Sequence, residues 1–133
     1  MEMWNKWEPI NDTPIKLFGC RTIDDKDGLT LFFVNEMWQK KLKISFEEGV
    51  LAFRVTDEGK RLKLIDFLDE TYGKAFYTEW MLFKVTQSDY IEWFNEQTFS
   101  IYETFNIVHY AFLTGNEIIE VLATAEPIVE KIN

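Results

Sequence analysis

Residues 106–127, NIVHYAFLTGNEIIEVLATAEP, decide the fold that the sequence predicts. Two apolar runs flank Gly115-Asn116, and a two-residue turn of this composition is typical of a β-hairpin. Adjacent strands joined by so short a turn must be antiparallel. The predicted cross-strand pairs are Leu113 with Ile118, Ala111 with Glu120, and His109 with Leu122.

Further strands are predicted on the N-terminal side of this hairpin. The apolar run LTLFFV at 29–34 has the length of a buried strand, and the aromatic-rich segment 76–85 has the composition of another. Between them, LKISFEEGVLAFRVT at 42–56 alternates apolar and polar residues around Glu48-Gly49, a pair that favours a hairpin turn. We therefore expect its two arms to pair and to share one buried face, made of Leu42, Ile44, Phe46, Leu51, Phe53 and Val55.

Two segments have the apolar periodicity of helices. Residues 60–73, KRLKLIDFLDETYG, end at a glycine, which is a common helix stop. A second helix begins at Asp89 after Ser88, a residue type that caps helix N-termini, and runs to about Gln97 or further. The sequence therefore predicts an α+β fold in one domain over residues 1–133, with an antiparallel sheet of about six strands and two or so helices packed on one face.

Composition and charge narrow the class of function. The 133 residues carry a net charge of −9, and residues 85–133 hold 8 acids but only one base, Lys131. Such a balance disfavours a nucleic-acid ligand, because phosphate backbones attract Lys and Arg. A single cysteine, Cys20, rules out an intrachain disulfide, and no apolar run has the length of a membrane span. We expect a cytoplasmic protein that binds neither membrane nor nucleic acid.

His109 is the only histidine, and the predicted register places it on the same sheet face as Glu120. The two are diagonal neighbours, whose Cα atoms lie roughly 7–8 Å apart, so their side chains can meet. A carboxylate beside an imidazole suits general-base catalysis, but the other residues of this face offer neither a nucleophile nor an oxyanion donor. We therefore expect a structural His109–Glu120 pair, no catalytic residue, and a binding protein rather than an enzyme.

No metal or cofactor is predicted. The chain has one histidine and one cysteine, and its acids are not clustered at the spacing of a metal site. Its six glycines are widely separated, so none of them forms a glycine-rich phosphate loop.

The helix that begins at Asp89 carries the predicted partner-binding surface. Asp89, Glu92 and Glu96 lie on one side of it, and Trp93 projects beside them. Glu92 and Glu96 repel each other at i, i+4 spacing, and no Lys or Arg within the helix relieves that repulsion. A tryptophan bordered by carboxylates is typical of an interface anchor with a charged rim. The alternative is a solvated face, with Trp93 packed on a neighbouring segment.

Two functions are compatible with these patterns. The first is a small acidic protein-interaction domain, such as an inhibitor or immunity-type protein that masks a basic surface of its partner. The second is a small-molecule-binding or hydrolytic domain, with His109 and Glu120 inside an aromatic-lined pocket. The charge asymmetry and the missing catalytic set favour the first.

Overall fold

A computed structural model describes residues 1–133 as nine strands and three α-helices. The strands are β1 (Met3–Lys6), β2 (Gly19–Asp25), β3 (Gly28–Val34), β4 (Lys40–Phe46), β5 (Val50–Asp57), β6 (Leu82–Thr86), β7 (Val108–Leu113), β8 (Glu117–Ala123) and β9 (Ile128–Lys131). The helices are α1 (Leu62–Tyr72), α2 (Ala75–Thr78) and α3 (Asp89–Gln97), and a 3-10 turn at Glu58–Lys60 precedes α1. None of the helices is both long and apolar enough to cross a membrane.

The strands form two antiparallel sheets. One sheet has five strands in the order β1-β6-β7-β8-β5, and the other has four in the order β2-β3-β4-β9. The predicted α+β class with antiparallel pairing is confirmed, whereas the prediction of a single sheet of about six strands is wrong. β1 forms one edge of the five-stranded sheet, whose other strands are β5 to β8, and β9 forms one edge of the four-stranded sheet, whose other strands are β2 to β4.

The hairpin predicted around Glu48-Gly49 does not form. β4 pairs with β3 and β9 in one sheet, while β5 pairs with β8 in the other. Gly49 sits at the crossing with a φ of +79°, and its carbonyl accepts a hydrogen bond of 2.9 Å from the N–H of Thr124. Thr124 belongs to the β8–β9 connection, which crosses between the sheets at the same place. Glu48-Gly49 is therefore a turn, as predicted, but it connects a strand of one sheet to a strand of the other.

The buried face predicted for these two arms is correspondingly half right. Leu42, Ile44 and Phe46 of β4 are completely buried in the core. In contrast, β5 is an edge strand, on which Phe53 is half-buried and Val55 is 46 % exposed. An edge position leaves one flank of a strand open to water, which alternation along the sequence does not reveal.

The largest core lies between the two sheets. Aromatic side chains of β7 meet those of the four-stranded sheet, as in the edge-to-face contact of Phe33 with Phe112 at 5.6 Å between ring centroids. On the hairpin β7–β8, the predicted register is confirmed at all three pairs. It directs Tyr110 and Phe112 to the core between the sheets, and His109 and Ala111 to the opposite face.

All three helices pack on that opposite face of the five-stranded sheet. The helix predicted over 60–73 is confirmed as α1, which ends at Gly73 with a φ of +88°. The strand predicted over 76–85 begins only at Leu82, because the preceding residues form α2. There, Phe76 stacks on Tyr72 at 4.3 Å between ring centroids, so local aromatic packing outweighs the strand propensity.

Candidate functional site

A buried chain of polar side chains links α3 to the sheet. Ser88 caps α3, because its Oγ accepts a hydrogen bond of 3.0 Å from the N–H of Ile91. The same Oγ lies 2.7 Å from Nδ1 of His109, and Nε2 of His109 lies 2.9 Å from Oε2 of Glu120. A hydroxyl that accepts one bond can still donate its proton, so every group is satisfied when Ser88 donates to Nδ1 and Nε2–H donates to the carboxylate.

Glu120 also binds two arginines. Nε and Nη2 of Arg54 contact its two carboxylate oxygens at 2.8 and 3.1 Å, and Nη1 of Arg61 contacts Oε1 at 2.7 Å. Burial alone would raise the pKa of Glu120, but hydrogen bonds from His109, Arg54 and Arg61 hold that pKa well below its usual range. Glu120 is therefore a buried carboxylate that remains charged.

Arg54 connects Glu120 to α3. Its guanidinium lies over the ring of Tyr90, 3.9 Å from the centroid, and Tyr90 is buried in the first turn of α3. The ring of Tyr90 also meets the imidazole of His109 edge-on, with centroids 5.5 Å apart. The contacts thus form a closed circuit from Ser88 through β7, β8 and β5 to Tyr90, which fixes α3 on the sheet.

Ser88, His109 and Glu120 are hydrogen-bonded in the same order as a catalytic triad, but a substrate cannot reach them. Ser88 is 7 % exposed, its oxygen already caps α3, and His109 and Glu120 are completely buried. A catalytic nucleophile must be able to contact its substrate. Because Ser88 and His109 are buried, no substrate can contact either of them. The His109–Glu120 contact that the sequence predicted is present, and its geometry supports the structural role that we expect.

Sequence reasoning missed three members of this network. Ser88 was interpreted only as a helix cap, because its contact with His109 depends on the pairing of β6 with β7. Arg54 and Arg61 were missed because the incorrect hairpin with β4 directed β5 away from β8. Arg54 lies directly opposite Glu120 in the pairing of β5 with β8. A prediction that assigned β4 and β5 to different sheets could have found this contact.

The four residues predicted to bind a partner lie together on the solvent side of α3. Asp89, Glu92 and Glu96 are exposed, and Trp93 is 51 % exposed. Trp93 contacts the ring of Tyr90 at 5.6 Å between centroids, so it leans on α3 itself while half of it remains in solvent. Their role in binding stays a prediction.

Two open grooves run along α3. One, the tryptophan groove, has a volume of about 540 Å³, and its mostly apolar lining includes Trp93 and three acids, Asp24, Glu47 and Glu48. The other, the glutamate groove, has a volume of about 650 Å³ and is lined by polar residues of α3 that include Asp89, Glu92, Asn95 and Glu96. No Lys or Arg lines either groove. The sequence did not indicate that acids from the N-terminal half would join this surface.

The acidic surface continues into an exposed apolar segment after α3. Phe99 is 91 % exposed, and Ile101 and Phe105 are also largely in solvent. Phe99 and Ser100 both have positive φ values, 52° and 60°, which non-glycine residues rarely adopt. Exposed apolar side chains bordered by polar residues are typical of interaction surfaces.

Comparison of the chain with protein-family models, with curated proteins and with solved structures found no match. The structure also contains no group of three or more His, Cys, Asp or Glu side chains that could hold a metal ion. The functional argument therefore depends on the geometry of the chain itself.

Proposed function

We propose that this chain is a small acidic protein-interaction domain of the cytoplasm, of the inhibitor or immunity type, which covers a basic surface of a partner protein. The observation that carries the proposal is Trp93, half exposed in the tryptophan groove and on the same helix as the acids of the glutamate groove, with neither Lys nor Arg lining either groove. A tryptophan can bury a large area at little entropic cost, and the surrounding acids attract a basic partner and orient it.

Asn95 adds a polar feature to the same surface. Its Oδ1 is buried and has no hydrogen-bond partner in the chain, although Asn95 lines the glutamate groove. A buried acceptor without a donor costs stability. A Lys or Arg side chain of a partner, entering between Glu92 and Glu96 next to this amide, would place one positive charge between the two carboxylates.

The surface gains little for folding from its charge, because the favourable position of Asp89 and Glu92 in the first turn of α3 is opposed by repulsion between acids. Glu92 and Glu96 repel each other along α3, and neither forms an ion pair within the chain. A basic partner would offset this repulsion on binding, which is a physical reason for keeping the acids together.

Kinetics of partner binding test the proposal. The immobilised chain would be used to capture partners at low salt, and a captured protein would be purified and its association measured. The double substitution Glu92→Lys with Glu96→Lys should slow association about tenfold at low salt and less at high salt, because electrostatic steering is screened by ions. Trp93→Ala should instead speed dissociation by about thirtyfold, the effect of losing an anchor worth about 2 kcal/mol.

Matched controls exist on other parts of the chain. Asp66→Lys with Glu70→Lys reverses two exposed acids at the same i, i+4 spacing on α1. Trp38→Ala removes another half-exposed tryptophan, located between β3 and β4. If binding to the purified partner responds equally to the α1 and α3 reversals, or if Trp93→Ala behaves like Trp38→Ala, the partner does not dock on α3 and the proposal is wrong.

A further inference from the structure

A third cavity, distinct from the two acidic grooves, has a cationic lining. It lies between β5, α1 and the N-terminal residues and has a volume of about 410 Å³. Arg54, Arg61 and Lys63 line it, together with the apolar side chains of Leu64 and Phe67. We call it the arginine pocket. It is the outer side of the Glu120 network, because both of its guanidiniums bind that carboxylate.

Two of the three cations of this pocket share a single carboxylate. Arg54 and Arg61 form ion pairs only with Glu120, and Lys63 forms none. Nη1 of Arg54 and Nη2 of Arg61 have no hydrogen-bond partner in the chain, although a guanidinium has donors on all three of its nitrogens. The pocket therefore presents unused guanidinium donors, and an ammonium group of Lys63 without an ion-pair partner.

Two acids at the pocket do not cancel this charge by direct contact. Glu2 and Asp89 also line the pocket, yet neither forms an ion pair with its cations. The carboxylate of Glu2 accepts hydrogen bonds from the N–H of Asp89 at 2.8 Å and from Nε1 of Trp4 at 3.4 Å. It is thus committed to the first turn of α3, where the helix dipole favours an anion.

The guanidiniums are held in place before any ligand arrives. Glu120 binds Arg54 through two atoms, and the ring of Tyr90 supports the same guanidinium from one side. Arg61 is held by Glu120 and by a longer contact of 3.4 Å to Oγ1 of Thr56. Preorganised donors lose little conformational entropy on binding, and guanidiniums match the geometry of carboxylates and phosphates.

We propose that the arginine pocket binds a small organic anion, whose phosphate or carboxylate head meets Arg54, Arg61 and Lys63 and whose apolar body packs on Leu64 and Phe67. This site does not involve Glu92, Trp93 or Glu96, although Asp89 lies at the border between the pocket and the acidic surface on α3. The head group is selected by charge and by the two guanidiniums, and the apolar wall selects a molecule larger than a bare inorganic ion.

Titration with phenyl phosphate, benzoate and inorganic phosphate tests the site. The Nε–Hε resonances of Arg54 and Arg61 would be followed by NMR at low ionic strength, where the attraction is least screened. Phenyl phosphate should produce saturable shifts with a dissociation constant of about 1 mM, and inorganic phosphate should bind at least about fivefold more weakly. Comparison of phenyl phosphate with benzoate then shows which head group the pocket prefers.

Variants separate binding from folding. Lys63→Gln alters an exposed side chain without ion pairs and should weaken phenyl phosphate binding roughly two- to fivefold. Arg61→Gln should weaken it about tenfold or more, and Arg61→Lys, which keeps the charge, should weaken it less. Lys40→Gln on β4, outside the pocket, is the matched control and should leave the affinity unchanged.

Three results would overturn the proposal. The first is the absence of saturable shifts at Arg54 and Arg61 up to roughly 10 mM phenyl phosphate, well above the expected dissociation constant. The second is equal weakening by Lys40→Gln and Lys63→Gln, which would indicate attraction to charge in general. The third is equal affinity for inorganic and phenyl phosphate, which would show that Leu64 and Phe67 take no part. Because none of these measurements involves a protein partner, their failure leaves the proposed function of α3 standing.

Discussion

Glu120 shows how much one side chain organises in this structure. Transferring a carboxylate into a protein interior costs several kcal/mol unless charges and hydrogen bonds compensate it. Here two arginines and one histidine surround it, and each of the three comes from a different segment, β5, the turn before α1, or β7. A single buried charge therefore fixes the relative positions of three parts of the chain.

Replacing Glu120 by Gln keeps the shape of the side chain and removes its charge. The two guanidiniums then lose their only ion-pair partner, so we expect the free energy of unfolding to fall by about 3–5 kcal/mol. Urea denaturation at pH 7 measures this change. Glu126→Gln, at an exposed position, should alter stability by less than about 0.5 kcal/mol. A loss below about 1 kcal/mol for Glu120→Gln would mean that water, rather than Glu120, satisfies the arginines.

Part of this site was predictable from the sequence and part was not. The contact of His109 with Glu120 follows from one local turn, since Gly115-Asn116 determines the register of both strands. Arg54 reaches Glu120 only because β5 pairs with β8, more than sixty residues further along the chain. Local patterns define a turn and a face, whereas the choice of a distant pairing partner depends on the packing of the entire fold.

Local sequence determines where α3 begins, whereas contacts with the sheet determine where α3 packs. Its start at Asp89 is predicted correctly, because a Ser cap is a local signal, whereas the periodicity left its end open from about Gln97 onward, and the helix stops at Gln97. Its attachment depends on tertiary contacts. Phe94 packs against Leu122, Ser88 bonds to His109, and Tyr90 supports Arg54. The sequence predicts the helix, and the sheet determines its position.

Ser88→Ala tests this attachment. The substitution removes the cap of α3 and leaves Nδ1 of His109 buried without a partner, so we expect a loss of about 2–4 kcal/mol in the free energy of unfolding. Amide hydrogen exchange should also accelerate in the first turn of α3 by more than it does in α1. Ser45→Ala on β4, a serine without side-chain hydrogen bonds, is the control. Stability and exchange indistinguishable from that control would show that α3 is held by its apolar face alone.

The charge of the whole molecule is distributed differently from the charge along the sequence. Sequence counting locates the acidic excess in residues 85–133, but two of those acids, Glu117 and Glu120, are drawn into the fold. Asp24, Glu47 and Glu48 come from the other half and join the tryptophan groove. On the outer face of the four-stranded sheet, by contrast, Lys40 and Lys43 lie over the ring of Phe32. The basic partner that we propose would therefore be attracted toward α3 rather than toward this face.

We expect the stability of the protein at acid pH to depend on the ionisation of Glu120. Because its pKa is depressed in the folded state, its contribution is complete above about pH 4.5, the ordinary value. Below that pH the unfolded chain takes up a proton that the folded chain resists, so stability falls. Urea midpoints between about pH 2.5 and 7 should thus show the advantage of the native chain over Glu120→Gln shrinking as pH decreases.

Glu117 changes stability with pH in the direction opposite to Glu120. The native chain must therefore be compared with Glu120→Gln. Burial raises the pKa of Glu117, so the folded chain takes up this proton more readily than the unfolded chain as pH falls. The native curve alone combines both effects, whereas the difference between the native chain and Glu120→Gln isolates one of them. An advantage that stays constant down to about pH 2.5 would contradict the assignment of the depressed pKa to Glu120.

The exchange of the outermost strands between the sheets also has a consequence for biosynthesis. β9 borders β4, and β1 borders β6, so each sheet contains a strand from the far half of the chain. A nascent chain that has not yet released Ile128–Lys131 from the ribosome leaves the edge of β4 open. β1, synthesised first, must meanwhile wait for β6 before it has any neighbour. The five-stranded sheet is therefore completed only after β8 has been translated, and the four-stranded sheet only after Lys131, so a chain that stops earlier exposes a strand edge for chaperones and proteases to recognise.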